Sequence, residues 1–115
     1  MTIGIFIIFI VAMHFVMDYP LQGEYIAMNK GKDSYLLFVH SWLWAAGQAL
    51  PVWLFGTDAL IVTLLFAVNA ILHQTVDKRK CDAKINIWQD QLIHFVQISM
   101  SVTAAIMCQR LSSVA

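Results

Sequence analysis

Histidine and aspartate recur four residues apart in three separate parts of the chain. The pairs are His14 with Asp18, His73 with Asp77 and, in reverse order, Asp90 with His94. Residues four apart lie one above the other on a helix, so each pair shares one helical face. An imidazole beside a carboxylate can ligate a metal ion or take part in proton transfer. The fourth histidine of the chain is His40.

The composition indicates that these polar pairs belong to an integral membrane protein. The chain has 115 residues, which allows one domain at most. It is 60% hydrophobic with a mean hydropathy of +0.71, and its charged fraction is 12%, against about 25% in an ordinary soluble domain. The apolar residues lie in long runs, which favour bilayer-spanning helices. A polar stripe such as Asn69, His73 and Asp77 is costly in hydrocarbon, so it needs partners or a function.

Four apolar runs predict four membrane-spanning helices. Their approximate bounds are 3–18, 35–55, 59–77 and 85–108. The first run is short, because about 15 residues give roughly 22 Å of helix against a hydrocarbon core of about 30 Å. A secretory signal peptide is the alternative. It would require a basic n-region and a small-residue cleavage site, and neither is present, so we expect an uncleaved helix. After Pro20, the amphipathic stretch 21–29 predicts a short helix at the membrane surface.

The basic residues predict which side of the membrane each connection faces. Six of them lie in the first and third connections: Lys30, Lys32, Lys78, Arg79, Lys80 and Lys84. Only Arg110 lies at the opposite side. Since basic connections stay cytoplasmic, we expect both termini to face outward. The predicted fold is all-α: a single-domain, four-helix transmembrane bundle made of two helical hairpins, with a short interfacial helix after the first span.

In this topology the four histidines lie in one layer near the cytoplasmic face, one on each span. Imidazole nitrogen and carboxylate oxygen are ligands of zinc, or of manganese or iron when more oxygen donors are present. The predicted metal ligands are His14, Asp18, His40, His73, Asp77, Asp90 and His94. Seven ligands are too many for one zinc ion. We therefore expect either a site with two metal ions or a site with one metal ion in which some of the seven residues hydrogen-bond to the ligands without binding the metal. Gln22 and Gln91 are candidate orienting residues.

A metal site of this kind is catalytic when it keeps a position for water, whose pKa the metal lowers toward about 7. Asp77 and Asp90 are the predicted general bases or bridging ligands. The predicted reaction is hydrolysis of a lipid-linked or phosphorylated substrate at the membrane surface. Two other interpretations are open. The layer can relay protons or ions without a metal, or it can specify helix packing in a membrane effector that is not an enzyme.

Other polar features have simpler interpretations. Lys78-Arg79-Lys80 marks the topology and is also a candidate site for an anionic lipid headgroup or a substrate phosphate. Cys81 and Cys108 lack metal-type spacing, and we expect no disulfide between them. Seven basic residues balance seven acidic ones, so the net charge gives no indication of nucleic acid or another polyanion, and we expect no nucleic-acid partner. Small bundles frequently dimerise, but no helix has the Gly-x-x-x-Gly face that would mark a dimer contact. A homo-oligomer is therefore possible without a predicted contact surface.

The linked motifs together resemble the domain-of-unknown-function 3307 family. They are His14-x-x-x-Asp18, Leu21-Gln22, Asn29-Lys30, His40, His73-x-x-x-Asp77-Lys78 and Asp90-Gln91-x-x-His94. The family comprises small multi-span membrane proteins of bacteria and their phages, so the resemblance implies the inner membrane of a bacterial cell and no particular reaction. Because the family includes phage proteins, the resemblance also implies what a non-enzymatic membrane effector would do: alter the host membrane or exclude superinfecting phages. In architecture, the His/Asp-rich bundle is similar to membrane-bound metal-dependent hydrolases of bacteria and prophages.

Overall fold

The computed structural model describes residues 1–114, which form five α-helices and no strand. The helices are α1 (Ile3–Asp18), α2 (Gly23–Asn29), α3 (Ser34–Leu54), α4 (Ala59–Cys81) and α5 (Ile87–Val114). The all-α prediction is confirmed, and the four long helices follow the four apolar runs. The fold is elongated, with extents of 49 × 23 × 23 Å.

Aspartates begin two of the long helices. The Asp33 carboxylate accepts two backbone N–H groups of the first turn of α3, and the Asp58 carboxylate does the same for α4. The first N–H groups of a helix have no partner within it, so these side chains satisfy donors that would otherwise need water. Each short connection therefore ends at a defined residue, which fixes where α3 and α4 start.

Among the described residues, α4 and α5 are each long enough and apolar enough to cross a membrane. Helices α1 and α2 form a third candidate span if the pair is counted as one, although it is bent by 74°. Helix α3 has 21 residues and is not among these candidate spans, and its buried residues include His40, Ser41 and Gln48. Two or three helices are thus candidate spans, and the four-span bundle stays a prediction.

Helix α3 lies at the centre of the fold and contacts all four other helices. The end of the bundle away from the histidines is filled by apolar side chains: Phe6, Ile10, Val52, Phe55, Ile98 and Ala105. Phe6 and Phe55 stack there with their ring centroids 4.3 Å apart. The apolar core and the histidines therefore occupy opposite ends of the same bundle, and buried polar residues such as Gln48 and Ser101 lie along the helices between them.

Gly47 allows α3 to approach α1 closely, since a Cβ at this position would lie 2.5 Å from Cγ and 2.8 Å from Cε of Met17. We expect Gly47→Ala to displace the Met17 side chain and to lower the free energy of unfolding by about 1 kcal/mol. Overpacking costs about 1–3 kcal/mol, and the better helix propensity of alanine returns at most about 1 kcal/mol. Denaturant titration in detergent measures this difference.

The matched control is Gly4→Ala on α1, where an added Cβ would meet nothing within 4 Å. It is expected to leave stability unchanged or slightly higher. Equal stability of Gly47→Ala and the unaltered protein would show that the approach of α1 to α3 is not tight.

Candidate metal centre

The four long helices bring all seven predicted ligands into one buried cluster. Each of them is at most 5% exposed: His14, Asp18, His40, His73, Asp77, Asp90 and His94. Helix α1 supplies two of these residues, α3 one, and α4 and α5 two each. The i, i+4 spacing explains why each pair points to the same side of its helix.

Asp18, His40 and His73 form the tighter of two groups, here called the first triad. The two Nε2 atoms of His40 and His73 are 3.1 Å apart. Asp18 Oδ1 lies 3.4 Å from Nε2 of His40 and 3.5 Å from Nε2 of His73. Tetrahedral ligands about 2.0–2.1 Å from zinc are roughly 3.3–3.4 Å from one another. The first triad therefore has the size of one face of a tetrahedral zinc site.

Asp77 approaches the first triad from α4. Its Oδ2 lies 3.2 Å from Nε2 of His40 and 3.9 Å from Nε2 of His73. The same oxygen contacts the ammonium group of Lys30. Asp77 is thus positioned to be the fourth ligand of a tetrahedral metal ion. Alternatively, while Lys30 holds its carboxylate, Asp77 can accept a hydrogen bond from another group that takes the fourth ligand position.

His14, Asp18 and His94 form the second triad. Asp18 Oδ2 lies 3.5 Å from Nδ1 of His94 and 3.8 Å from Nδ1 of His14. One carboxylate oxygen of Asp18 faces the first triad and the other faces the second, which is the arrangement of a carboxylate that bridges two metal ions. The sequence predicted Asp77 and Asp90 as general bases or bridging ligands, and those roles stay predictions; Asp18 is the carboxylate that lies between the two triads.

The neighbours of His14 determine its protonation. Nε1 of Trp44 donates a hydrogen bond to Nδ1 of His14 over 3.1 Å, and Nε2 of His14 lies 3.0 Å from Oε1 of Gln91. An indole N–H can only donate and an amide oxygen can only accept, so His14 carries its proton on Nε2. The lone pair of Nδ1 is already used by Trp44. The second triad is therefore less available to a metal ion than the first.

Several buried polar atoms of the cluster have no hydrogen-bond partner within residues 1–114. They include both carboxylate oxygens of Asp18 and both ring nitrogens of His94. Buried polar atoms are nearly always paired, and an unpaired one costs about 1–3 kcal/mol. A divalent ion at the first triad would take Oδ1 of Asp18 as a ligand. The residues present therefore fit zinc, with manganese or iron as alternatives if more oxygen donors join.

Two lysines compensate the buried carboxylates. Lys30, which follows α2 and is 4% exposed, contacts Asp77 and Oε1 of Gln22. Nζ of Lys80 lies 3.1 Å from Oδ1 of Asp77 and 3.1 Å from Oδ2 of Asp90. Sequence reasoning gave Lys30 only a topological role. The signal that could have found it is charge: buried carboxylates in one layer require cations, and Lys30 is at the same end of the bundle.

Asp90 lies outside both triads. Its Oδ2 accepts hydrogen bonds from Lys80 and from Nε2 of Gln91, and its Oδ1 is 3.7 Å from Nε2 of His94. This environment suits a residue that orients His94 and Gln91, and it does not bring Asp90 between the two triads. Gln22 has a comparable supporting place, because its Nε2 donates to the backbone oxygen of Asp18.

A family model described as "Protein of unknown function (DUF3307)" matches residues 5–115. The chain belongs to this family. The resemblance predicted from the motifs is therefore confirmed, and the DUF3307 match includes every residue of both triads and both lysines. The family description attaches no activity to them. No curated protein and no solved structure matches the chain.

Two openings of this DUF3307 protein lie near the cluster. One is an apolar cavity of about 210 Å³ that reaches His40. The other is the basic groove, about 520 Å³, where Lys78, Arg79 and Lys84 surround an apolar wall that includes Leu37 and Ile71. Lys78 is 2.6 Å from the carboxylate of Asp82, and this hydrogen bond holds the pKa of Asp82 below its usual range. Lys80, predicted from sequence to join Lys78 and Arg79 in an anion site, is directed instead toward Asp77 and Asp90.

Proposed function

We propose that this protein crosses the inner membrane of a bacterial cell with four helices and binds zinc at the first triad, near the cytoplasmic face. The length and hydropathy of α4, α5 and the α1–α2 pair support spans on either side of the central helix α3. The excess of basic residues at the end of the bundle that carries the cluster supports a cytoplasmic orientation for that end, with both termini outside.

The proposed reaction is metal-dependent hydrolysis of a lipid-linked or phosphorylated substrate. Asp18, His40 and His73 hold the metal ion, with Asp77 as the candidate fourth ligand or general base. When bound there, zinc supplies Lewis acidity and activates a water molecule near neutral pH. The ammonium group of Lys30 balances the charge of Asp77, so that this carboxylate does not repel an anionic substrate group. Gln22 holds that ammonium group in position.

The observation that carries this proposal is the spacing of 3.1–3.5 Å within the first triad. A layer that only specified helix packing would be expected to join its buried polar atoms by short hydrogen bonds, whereas the oxygens of Asp18 lie 3.4–3.8 Å from one nitrogen of each of the four histidines. A proton conduit would need polar groups along the whole bundle. Buried polar residues such as Gln48, Asn69 and Ser101 continue beyond the histidines, but the apolar core around Phe6, Val52 and Ile98 fills the other end of the bundle, which favours a metal site over a conduit.

Metal content and hydrolysis together test the proposal. Purified in detergent, the protein is expected to keep about one tightly held zinc ion per chain, as a site with three protein ligands does. It is also expected to hydrolyse a chromogenic ester or phosphoester at a rate that falls on chelation and returns with zinc. His73→Ala should remove both properties. A chain that binds no transition metal and keeps an effect on the host membrane after His73→Ala would favour the non-enzymatic effector.

We also propose that the basic groove contacts anionic lipid headgroups. Lys78, Arg79 and Lys84 bring three positive charges to an apolar wall, and cations that flank apolar surface attract anionic headgroups. Asp82 offsets one of these charges through its ion pair with Lys78. The groove lies at the same end of α4 as the cluster, so this contact would hold the metal site close to the membrane surface.

A further inference from the structure

An apolar cavity of about 210 Å³ leads from the surface of the bundle to the first triad. It is formed by α1, α2, the connection between them and α3, and it is lined by Met17, Leu21, Gln22, Ile26, His40 and Leu43. Four of these six residues are apolar, and the two polar ones are connected to the cluster. His40 is a candidate metal ligand, and Gln22 contacts Lys30.

We propose that this cavity binds the hydrocarbon chain of an amphiphilic substrate whose polar group lies at His40. The proposal rests on the hydrolysis proposed for the first triad, and it names the substrate class: a single-chain amphiphile with an anionic headgroup. A chain in contact with Leu21, Ile26 and Leu43 brings the attached group beside His40. Lys30 contacts Gln22 of the cavity wall and neutralises Asp77, so the positive charge of a zinc ion at the first triad would be left to favour a phosphate or another anion.

The size of the cavity limits the portion of the chain that it encloses. An apolar cavity of about 150 Å³ holds a benzene molecule, so 210 Å³ has room for roughly eight carbon atoms. Leu21 and Leu43 are 60% and 51% exposed, and the cavity opens between α1, α2 and α3 at these side chains. A longer chain can therefore continue past them into the bilayer, and the substrate can enter sideways from the membrane.

Photolabelling tests this site without relying on catalysis. The probe is octyl phosphate with a diazirine at the end of its chain, added to the protein in phosphatidylcholine nanodiscs, with adducts mapped by mass spectrometry. We expect adducts on Met17, Leu21, Ile26 and Leu43. A roughly tenfold excess of unlabelled octyl phosphate should reduce them about tenfold, because two ligands of similar affinity share one saturated site in proportion to their concentrations. Adducts on the exposed face of α4 should not change.

Leu43→Trp fills the cavity and is expected to remove these adducts. The matched control is Leu50→Trp, because Leu50 is also exposed on α3 but does not line the cavity, and this variant should keep the adducts. Adducts spread evenly over the membrane-facing surface, or adducts that unlabelled octyl phosphate does not reduce, would overturn the proposal. The competition result uses the unaltered chain, so it decides the question even if Leu43→Trp fails to fold.

Two further outcomes separate this site from the proposed function. If zinc-dependent hydrolysis is equally fast for p-nitrophenyl octyl phosphate and p-nitrophenyl methyl phosphate and the cavity is not labelled, the chain site is wrong and the function stands. If the cavity is labelled and competed but neither ester is hydrolysed with zinc, the chain-binding assignment stands and the hydrolysis fails.

Discussion

Asp18→Ala is expected to abolish tight zinc binding. Its Oδ1 belongs to the first triad and its Oδ2 to the second, so one substitution removes an anionic ligand from both. Loss of an outer hydrogen-bond partner of a metal ligand typically costs about 10–100-fold in affinity, and loss of this shared ligand should cost more. Competition with a chromophoric zinc chelator in detergent measures the affinity directly.

Two further variants make the result specific. Asp18→Asn keeps the side-chain shape without the anionic oxygen, and its zinc affinity is expected to fall nearly as far. Asp58→Ala removes the aspartate that begins α4, which should lower stability by about 1 kcal/mol and leave zinc affinity unchanged. Zinc affinity unchanged in Asp18→Ala would contradict the assignment of both triads.

Lys30→Met is expected to destabilise the metal-free protein and to strengthen zinc binding. Lys30 and Asp77 form a buried ion pair, and removal of one partner from such a pair costs about 3–5 kcal/mol. We expect the lower end of this range, about 3 kcal/mol, because Lys80 still faces Asp77. The same change frees Oδ2 of Asp77 for the metal. Thermal unfolding in detergent, with and without zinc, should show a lower midpoint without zinc and a larger rise with it.

Lys32→Met is the matched control, because Lys32 is an exposed lysine two residues along the same connection. It is expected to alter neither the midpoint nor the response to zinc. If Lys30→Met behaves like Lys32→Met, the buried ion pair contributes nothing measurable. If Lys30→Met loses the response to zinc, Lys30 supports the metal site and does not compete with the ion.

The helices and the cluster residues could be predicted because their signals are local. Apolar runs mark the long helices, and the four-residue spacing of His14 with Asp18 marks a shared face. The helices do not coincide with the predicted spans: α4 continues to Cys81, past the span limit at 77, and α5 runs from Ile87 to Val114, whereas the predicted span is 85–108. Hydropathy marks where apolar side chains stop, whereas a helix continues through polar residues such as Lys80 as long as its backbone bonds are made.

The arrangement inside the cluster could not be predicted, because it depends on how each helix is rotated about its axis relative to the others. The central place of Asp18 results from α1 packing on α3 while α5 brings His94 to its other side. A lysine side chain is long and flexible, so its position in the sequence does not tell whether its ammonium group faces solvent or a buried carboxylate. Lys30 is the clearest example.

The most direct test of the zinc site is anomalous diffraction from a crystal of the zinc-loaded protein, measured on both sides of the zinc absorption edge. We predict an anomalous peak about 2.0–2.2 Å from Oδ1 of Asp18 and from Nε2 of His40 and His73. The absence of a peak within the cluster would contradict the zinc site and the hydrolysis proposed from it. A zinc ion bound by other residues such as Cys81, with His40 and His73 joined only by hydrogen bonds, would contradict them as well.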